Sequence, residues 1–140
     1  MLDKESVKKI LIILLGQFLI FVGIRHFTDP SWFQPIVPKI LLFPYFWVYL
    51  SGLLEIIIGT GLVFQKTRNK AGKAATLLLI MLYWGNINMW IYDIPIDGKK
   101  LTLIEHILRG IAQVAMIAIA MNAGNLKVCG YKKGKEELIK

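Results

Sequence analysis

The sequence predicts an all-α fold, a transmembrane four-helix bundle, on the strength of three observations. Of its 140 residues, 56% are hydrophobic and only 19% charged, and the mean hydropathy is +0.57. A soluble domain of this length has no interior large enough to hide so much apolar surface. Four apolar runs come close to the roughly 20 residues that a helix needs to cross a hydrocarbon core about 30 Å thick. The charges gather between those runs instead of along them.

The first span is expected from Val7 to Phe27, the second from Phe46 to Phe64, the third from Ala71 to Tyr92 and the fourth from Thr102 to Asn122. Lys4, Lys8 and Lys9 ahead of the first run resemble the start of a cleavable leader. Cleavage needs small residues in an A-x-A pattern, however, and the first alanine is Ala71, so the span is expected to be retained. Between the first two spans, residues 28–45 read TDPSWFQPIVPKILLFPY, and four prolines there exclude a continuous helix. Trp32, Phe33 and Trp47 suit the membrane interface, so this segment is expected to be a proline- and aromatic-rich loop or re-entrant piece at headgroup level. The whole chain, 1–140, is expected to be one domain ending in a basic tail, residues 127–140, with affinity for anionic lipid.

The net charge of +8 could suggest nucleic acid, but the basic residues form no single face and lack interleaved stacking aromatics, so no nucleic-acid partner is expected. Their positions carry topology instead. One side collects Lys4, Lys8, Lys9, Lys66, Arg68, Lys70, Lys73, Lys127, Lys132, Lys133, Lys135 and Lys140; the other has Arg25, Lys39, Lys99 and Lys100. The positive-inside rule then puts both termini in the cytoplasm of a multi-pass plasma-membrane protein. Cys129, the lone cysteine, can form no internal disulfide.

The informative residues are those a bilayer should reject. A charge at a helix centre costs roughly 2.5 to 3.5 kcal/mol on insertion scales, so such residues face the bundle interior and pair. Here they are Glu55 in the second span, Glu105, His106 and Arg109 in the fourth, with Arg25 and His26 closing the first. At about 1.5 Å per residue, Arg109 lies about 10 Å and Glu55 about 14 Å below the non-cytoplasmic surface. Asn86 and Asn88 fall at a similar depth but about 200° apart, so only one can point squarely inward. Ser51 and Glu55 are four apart with Gly52 and Gly59 on the same stripe, and His106, Arg109 and Gln113 recur at helical spacing. The expectation is one internal network centred on a Glu55–Arg109 pair, joined by Arg25, Asn86 and Gln113, with His26, Ser51, Glu105 and His106 around it.

Two readings of that cluster stay open. Buried pairs and amides can simply hold four helices in register. Alternatively, a carboxylate, histidines and an arginine around an outer-leaflet cavity suit a lipophilic carbonyl ligand such as a quinone, or a proton relay. Haem held by His26 and His106 rests on two histidines alone, and no paired His/Cys spacing marks a zinc site, so no metal is expected. Nucleophile elbows, phosphate loops and dinucleotide glycine motifs are absent from the sequence.

Several stretches resemble the DoxX-like family of small integral membrane proteins: HFTDPSWFQPIVP over 26–38, YLSGLLEIIIGTGL over 49–62, the pair Thr67 and Arg68, GNINM over 85–89, and Arg109 with Gln113. The proline often found in that family's fourth helix is missing here. The resemblance implies a four-helix membrane bundle, and the family's founding name comes from a subunit of a terminal quinol oxidase that works with thiosulfate oxidation. It therefore implies an accessory or quinone-contacting subunit of a membrane redox system, with oxidoreductase subunits as partners. The other expectations weighed are a structural membrane protein without catalysis, and a binding protein, transporter or isomerase for a lipophilic solute. The transporter form would require a homo-oligomer.

Overall fold

The computed structural model describes residues 3–96 and 98–126. These form α1 (Lys4–Thr28), a single-turn α2 (Pro30–Phe33) continued by a 3-10 turn (Gln34–Ile36), α3 (Pro44–Val63), α4 (Arg68–Ile91) and α5 (Leu103–Ala123). Four of these, α1, α3, α4 and α5, are long and apolar enough to cross a membrane. Each expected span lies within three residues of the observed ends. Among the described residues there is no strand, only an isolated bridge between Ile96 and Lys99 in the α4–α5 connection. The basic tail and Cys129 lie outside the described residues.

Local chemistry sets the helix ends. Asp3 starts α1 by accepting the Ser6 amide at 3.1 Å. The prolines of the 28–45 segment act as punctuation: Pro30 and Pro44 occupy the first positions of α2 and α3, where a missing N–H costs nothing. The segment expected as loop is thus partly helical, because Pro30 and Pro35 sit where short turns tolerate them. Thr102 and Glu105 close a reciprocal capping box on α5, with the Thr102 amide donating to Glu105 Oε2 at 2.7 Å. At the far end of α3, Arg68 donates from Nε to the Leu62 carbonyl (3.0 Å) and from Nη2 to that of Val63 (3.1 Å). Thr67 Oγ1 donates to the Gly61 carbonyl at 2.8 Å. Together they satisfy carbonyls that the helix leaves unpaired.

The four long helices pack as a closed ring in the order α1, α3, α4, α5 and back to α1. Consecutive long helices therefore form two antiparallel hairpins, α1–α3 and α4–α5. The ring interior is built of Ile12, Leu15, Leu19, Ile58, Leu62, Ala75, Leu78, Leu79 and Ala120. The outer surface is apolar as well, with Phe18, Phe21, Leu53, Ile57, Leu77, Leu108 and Ile111 exposed, as contact with lipid requires.

The first hairpin is held by glycines. A Cβ on Gly16 would lie 2.7 Å from the Gly59 carbonyl oxygen, and one on Gly23 equally close to that of Gly52. Gly16 and Gly23 are seven apart, as are Gly52 and Gly59, so two rungs of backbone contact recur along one antiparallel seam. Between lipid-facing helices, where no hydrophobic force favours association, such close approach supplies the van der Waals contact that does.

Candidate functional site

The polar residues expected to form one network form two clusters, one in each hairpin. In the first, His26 on α1 and Glu55 on α3 are both buried, at 6% and 3% exposure, with His26 Nδ1 3.2 Å from Glu55 Oε2. The His26 nitrogen also lies 2.9 Å from the Val22 carbonyl. A carbonyl can only accept, so Nδ1 carries its hydrogen toward Val22. Glu55 Oε2 consequently stands beside the imidazole without accepting a full hydrogen bond of its own. Phe33 of α2 covers the ring, with centroids 3.7 Å apart and planes 22° from parallel. Trp32 meets Phe33 edge-on at 4.7 Å. The 28–45 segment thus puts an aromatic lid over the first cluster.

In the second hairpin, Arg109 Nη2 donates to Asn86 Oδ1 at 2.8 Å, and Asn86 Nδ2 reaches Gln113 Oε1 at a long 3.4 Å. Gln113 Nε2 donates across to the Leu79 carbonyl of α4 at 2.7 Å. The chain of donors joins α4 to α5 at three successive levels. Arg109 Nε is buried and has no partner among the described residues. The residue also belongs to the lining of a groove of about 10 Å³ bounded by Tyr83, Asn86, Ile87, Trp90, His106 and Gly110. That is room for about one water-sized oxygen. His106 is buried beneath Trp90, with ring planes 5° apart and centroids 5.6 Å apart.

The expected Glu55–Arg109 pair is not made. The ring order explains this: α3 and α5 are diagonal, so Glu55 meets α1 and Arg109 meets α4. Arg25 does not join either cluster. It forms an exposed i,i+4 pair with Asp29 at 3.2 Å, because it lies at the open end of α1 where water and Asp29 are both at hand. Glu105 turns to its own helix end, capping Thr102 and pairing with Lys99 at 3.3 Å. Ser51 donates to the Val48 carbonyl of its own helix and bridges to nothing else among the described residues. Of Asn86 and Asn88 on α4, Asn86 makes the interhelical bonds.

Tyr83 and Trp90 are not among the residues that charge and depth single out. Together with Asn86 and Ile87 they fall at positions 83, 86, 87 and 90, a single helical stripe that periodicity could have exposed. No group of three or more His, Cys, Asp or Glu side chains suited to a metal exists among the described residues.

A family model described as Domain of unknown function (DUF8561) matches residues 15–124, which includes both clusters and the lid. No curated protein and no solved structure matches the chain.

Proposed function

We propose, from the premise that the chain belongs to the family described as Domain of unknown function (DUF8561), that it is a multi-pass plasma-membrane protein that binds the carbonyl oxygen of a quinone-class lipid. Both termini then face the cytoplasm, and the protein serves as an accessory subunit of a membrane redox system. One observation carries the reading: Arg109, whose buried Nε is a donor without an acceptor among the described residues, is a lining residue of the Trp90–Tyr83–His106 groove. A buried donor left unpaired costs about 1 to 3 kcal/mol, more when charged, and an incoming carbonyl oxygen removes that cost. The groove admits an oxygen rather than a ring, so the quinone ring lies outside it, against exposed Trp90 and Ile87. Asn86 and Gln113 hold the guanidinium in place, which makes them positioning residues. The resemblance to DoxX-like proteins supports the same ligand class.

A second reading, that the polar groups serve only architecture, is favoured by Gln113, whose amide bonds the α4 backbone directly. The two separate in one experiment. A short-tailed benzoquinone is titrated against the protein in mild detergent, with tryptophan fluorescence as the signal. The wild type is expected to be quenched saturably, Arg109→Gln to lose saturation while still folded, and Trp90→Phe to bind with less quenching. A folded wild type that gives only linear, collisional quenching sinks the quinone reading and leaves architecture.

A further inference from the structure

A second concave surface lies at the opposite end of the bundle, where α1 begins, α3 turns into α4 and α5 ends. It is a cavity of about 250 Å³ whose lining includes Lys8, Lys9, Arg68, Asn69, Asn122 and Asn125. We propose that this cavity binds a phosphate-bearing anion, either the headgroup of an anionic lipid or a free phosphate compound.

The charge balance favours an anion. Among the described residues Glu5 is the one carboxylate in the lining, and it is taken by Lys8 at 2.7 Å, so the three described cations against that anion leave two positive charges. Lys9 makes no ion pair among the described residues. Arg68 is held in position, with Nε and Nη2 bonded to the Leu62 and Val63 carbonyls and Nη1 making no bond among the described residues. Fixing a guanidinium beforehand reduces what a bidentate contact to phosphate costs in side-chain freedom.

The start of α4 contributes in the same sense. It has no side-chain cap and no acidic residue in its first turn, so no side chain of that turn opposes the positive end of its dipole. The last carbonyls of α5, at the negative end of its dipole, are partly engaged. Those of Ala120, Met121 and Asn122 accept from the Gly124, Leu126 and Asn125 amides. Gly72 and Gly124 are in backbone contact, which brings the α4 start against the α5 end and places Asn69 and Asn122 around one opening. The volume exceeds the 10 to 15 Å³ that one water needs by more than tenfold, room for a tetrahedral oxyanion and its neighbours.

The test uses the full chain in uncharged detergent and follows thermal unfolding and native mass spectra with added phosphatidylglycerol, phosphatidylcholine or inorganic phosphate. The wild type is expected to bind and be stabilised by phosphatidylglycerol and not by phosphatidylcholine. Lys8→Gln/Lys9→Gln should weaken that binding about tenfold, given what each cation contributes beside an anionic group. Lys99→Gln/Lys100→Gln, at the other end, should leave it unchanged. Asn69→Asp keeps a favourable residue in the first turn of α4 while placing an anion in the cavity, so it should fold and lose binding. Stabilisation by inorganic phosphate that competes with phosphatidylglycerol identifies a free phosphate compound as the source, and stabilisation by the lipid alone identifies the headgroup. The proposal is overturned if neither anion binds, or if Lys8→Gln/Lys9→Gln and Asn69→Asp bind phosphatidylglycerol as tightly as the wild type.

Discussion

Glu55 Oε2 and His26 Nδ1 stand 3.2 Å apart in the interior of the first hairpin, yet the imidazole hydrogen is spent on the Val22 carbonyl at 2.9 Å. The pair is therefore close without being well bonded. Replacing the carboxyl by an amide of the same shape should relieve the buried, poorly satisfied oxygen. Glu55→Gln is expected to fold and to unfold at a temperature equal to or above that of the wild type, whereas Glu55→Ala opens a void against His26 and costs about 2 to 4 kcal/mol. Thermal unfolding in one detergent decides it, and a Glu55→Gln protein less stable than Glu55→Ala would contradict this account of the pair.

The glycine seam predicts opposite outcomes for one type of change. Gly59→Ala would put a Cβ 2.6 Å from the Gly16 carbonyl oxygen, so the hairpin must spread, at about 1 to 3 kcal/mol. Gly110→Ala meets only the Tyr83 hydroxyl at 3.7 Å and should gain up to about 1 kcal/mol from helix propensity. If both substitutions shift the melting temperature in the same direction, the seam is not what holds α1 to α3.

In the second hairpin, Gln113→Leu removes the bonds to Leu79 and Asn86 at a stroke. Interhelical polar contacts in membranes are worth about 0.6 kcal/mol on average and up to about 1.7. The expected cost lies in that range, and a double-mutant cycle with Asn86→Leu should show coupling. Strict additivity would mean that the 3.4 Å contact carries no energy.

At the start of α1, hydrogen bonding from the Ser6 side chain and amide, the latter at 3.1 Å, holds the Asp3 carboxyl below its ordinary value of 3.8. A carboxyl depressed by folding stabilises its helix end above its unfolded value, and that contribution disappears as the pH falls through the folded one. Hydrogen exchange at the Ser6 amide should therefore show protection at neutral pH that is lost in acid. Asp3→Ala should lack this protection at every pH.

Much of the fold was legible because membranes impose length and polarity rules that act residue by residue. The four spans follow from apolar runs between charged stretches, whereas Glu105, expected beside the internal network, caps α5 together with Thr102 instead. What could not be read was which helix neighbours which. Depth alone puts Glu55, Asn86 and Arg109 near one level, and a single network is the natural expectation from depth. Only the ring order, with α3 diagonal to α5, separates Glu55 from Arg109. The pairing Gly16–Gly59 and Gly23–Gly52 carries the missing information, since matched seven-residue spacings on two helices specify the partner and the register together. The lid was hidden for a different reason: prolines announce a break, but nothing in TDPSWFQPIVP says that Phe33 folds back onto His26.

Each hairpin keeps its polar side chains to itself, and this bears on how the chain enters a bilayer during synthesis. Once α1 and α3 have emerged, Glu55 already has His26 beside it and Phe33 over the imidazole, before α4 exists. When α4 and α5 follow, Arg109 and Gln113 find Asn86 and the Leu79 carbonyl within the same newly made pair. No ionisable group has to wait in lipid for a partner from the other half. The final step is then the closing of two finished hairpins along apolar seams of Ile58, Leu62, Ala75, Leu78 and Ala120.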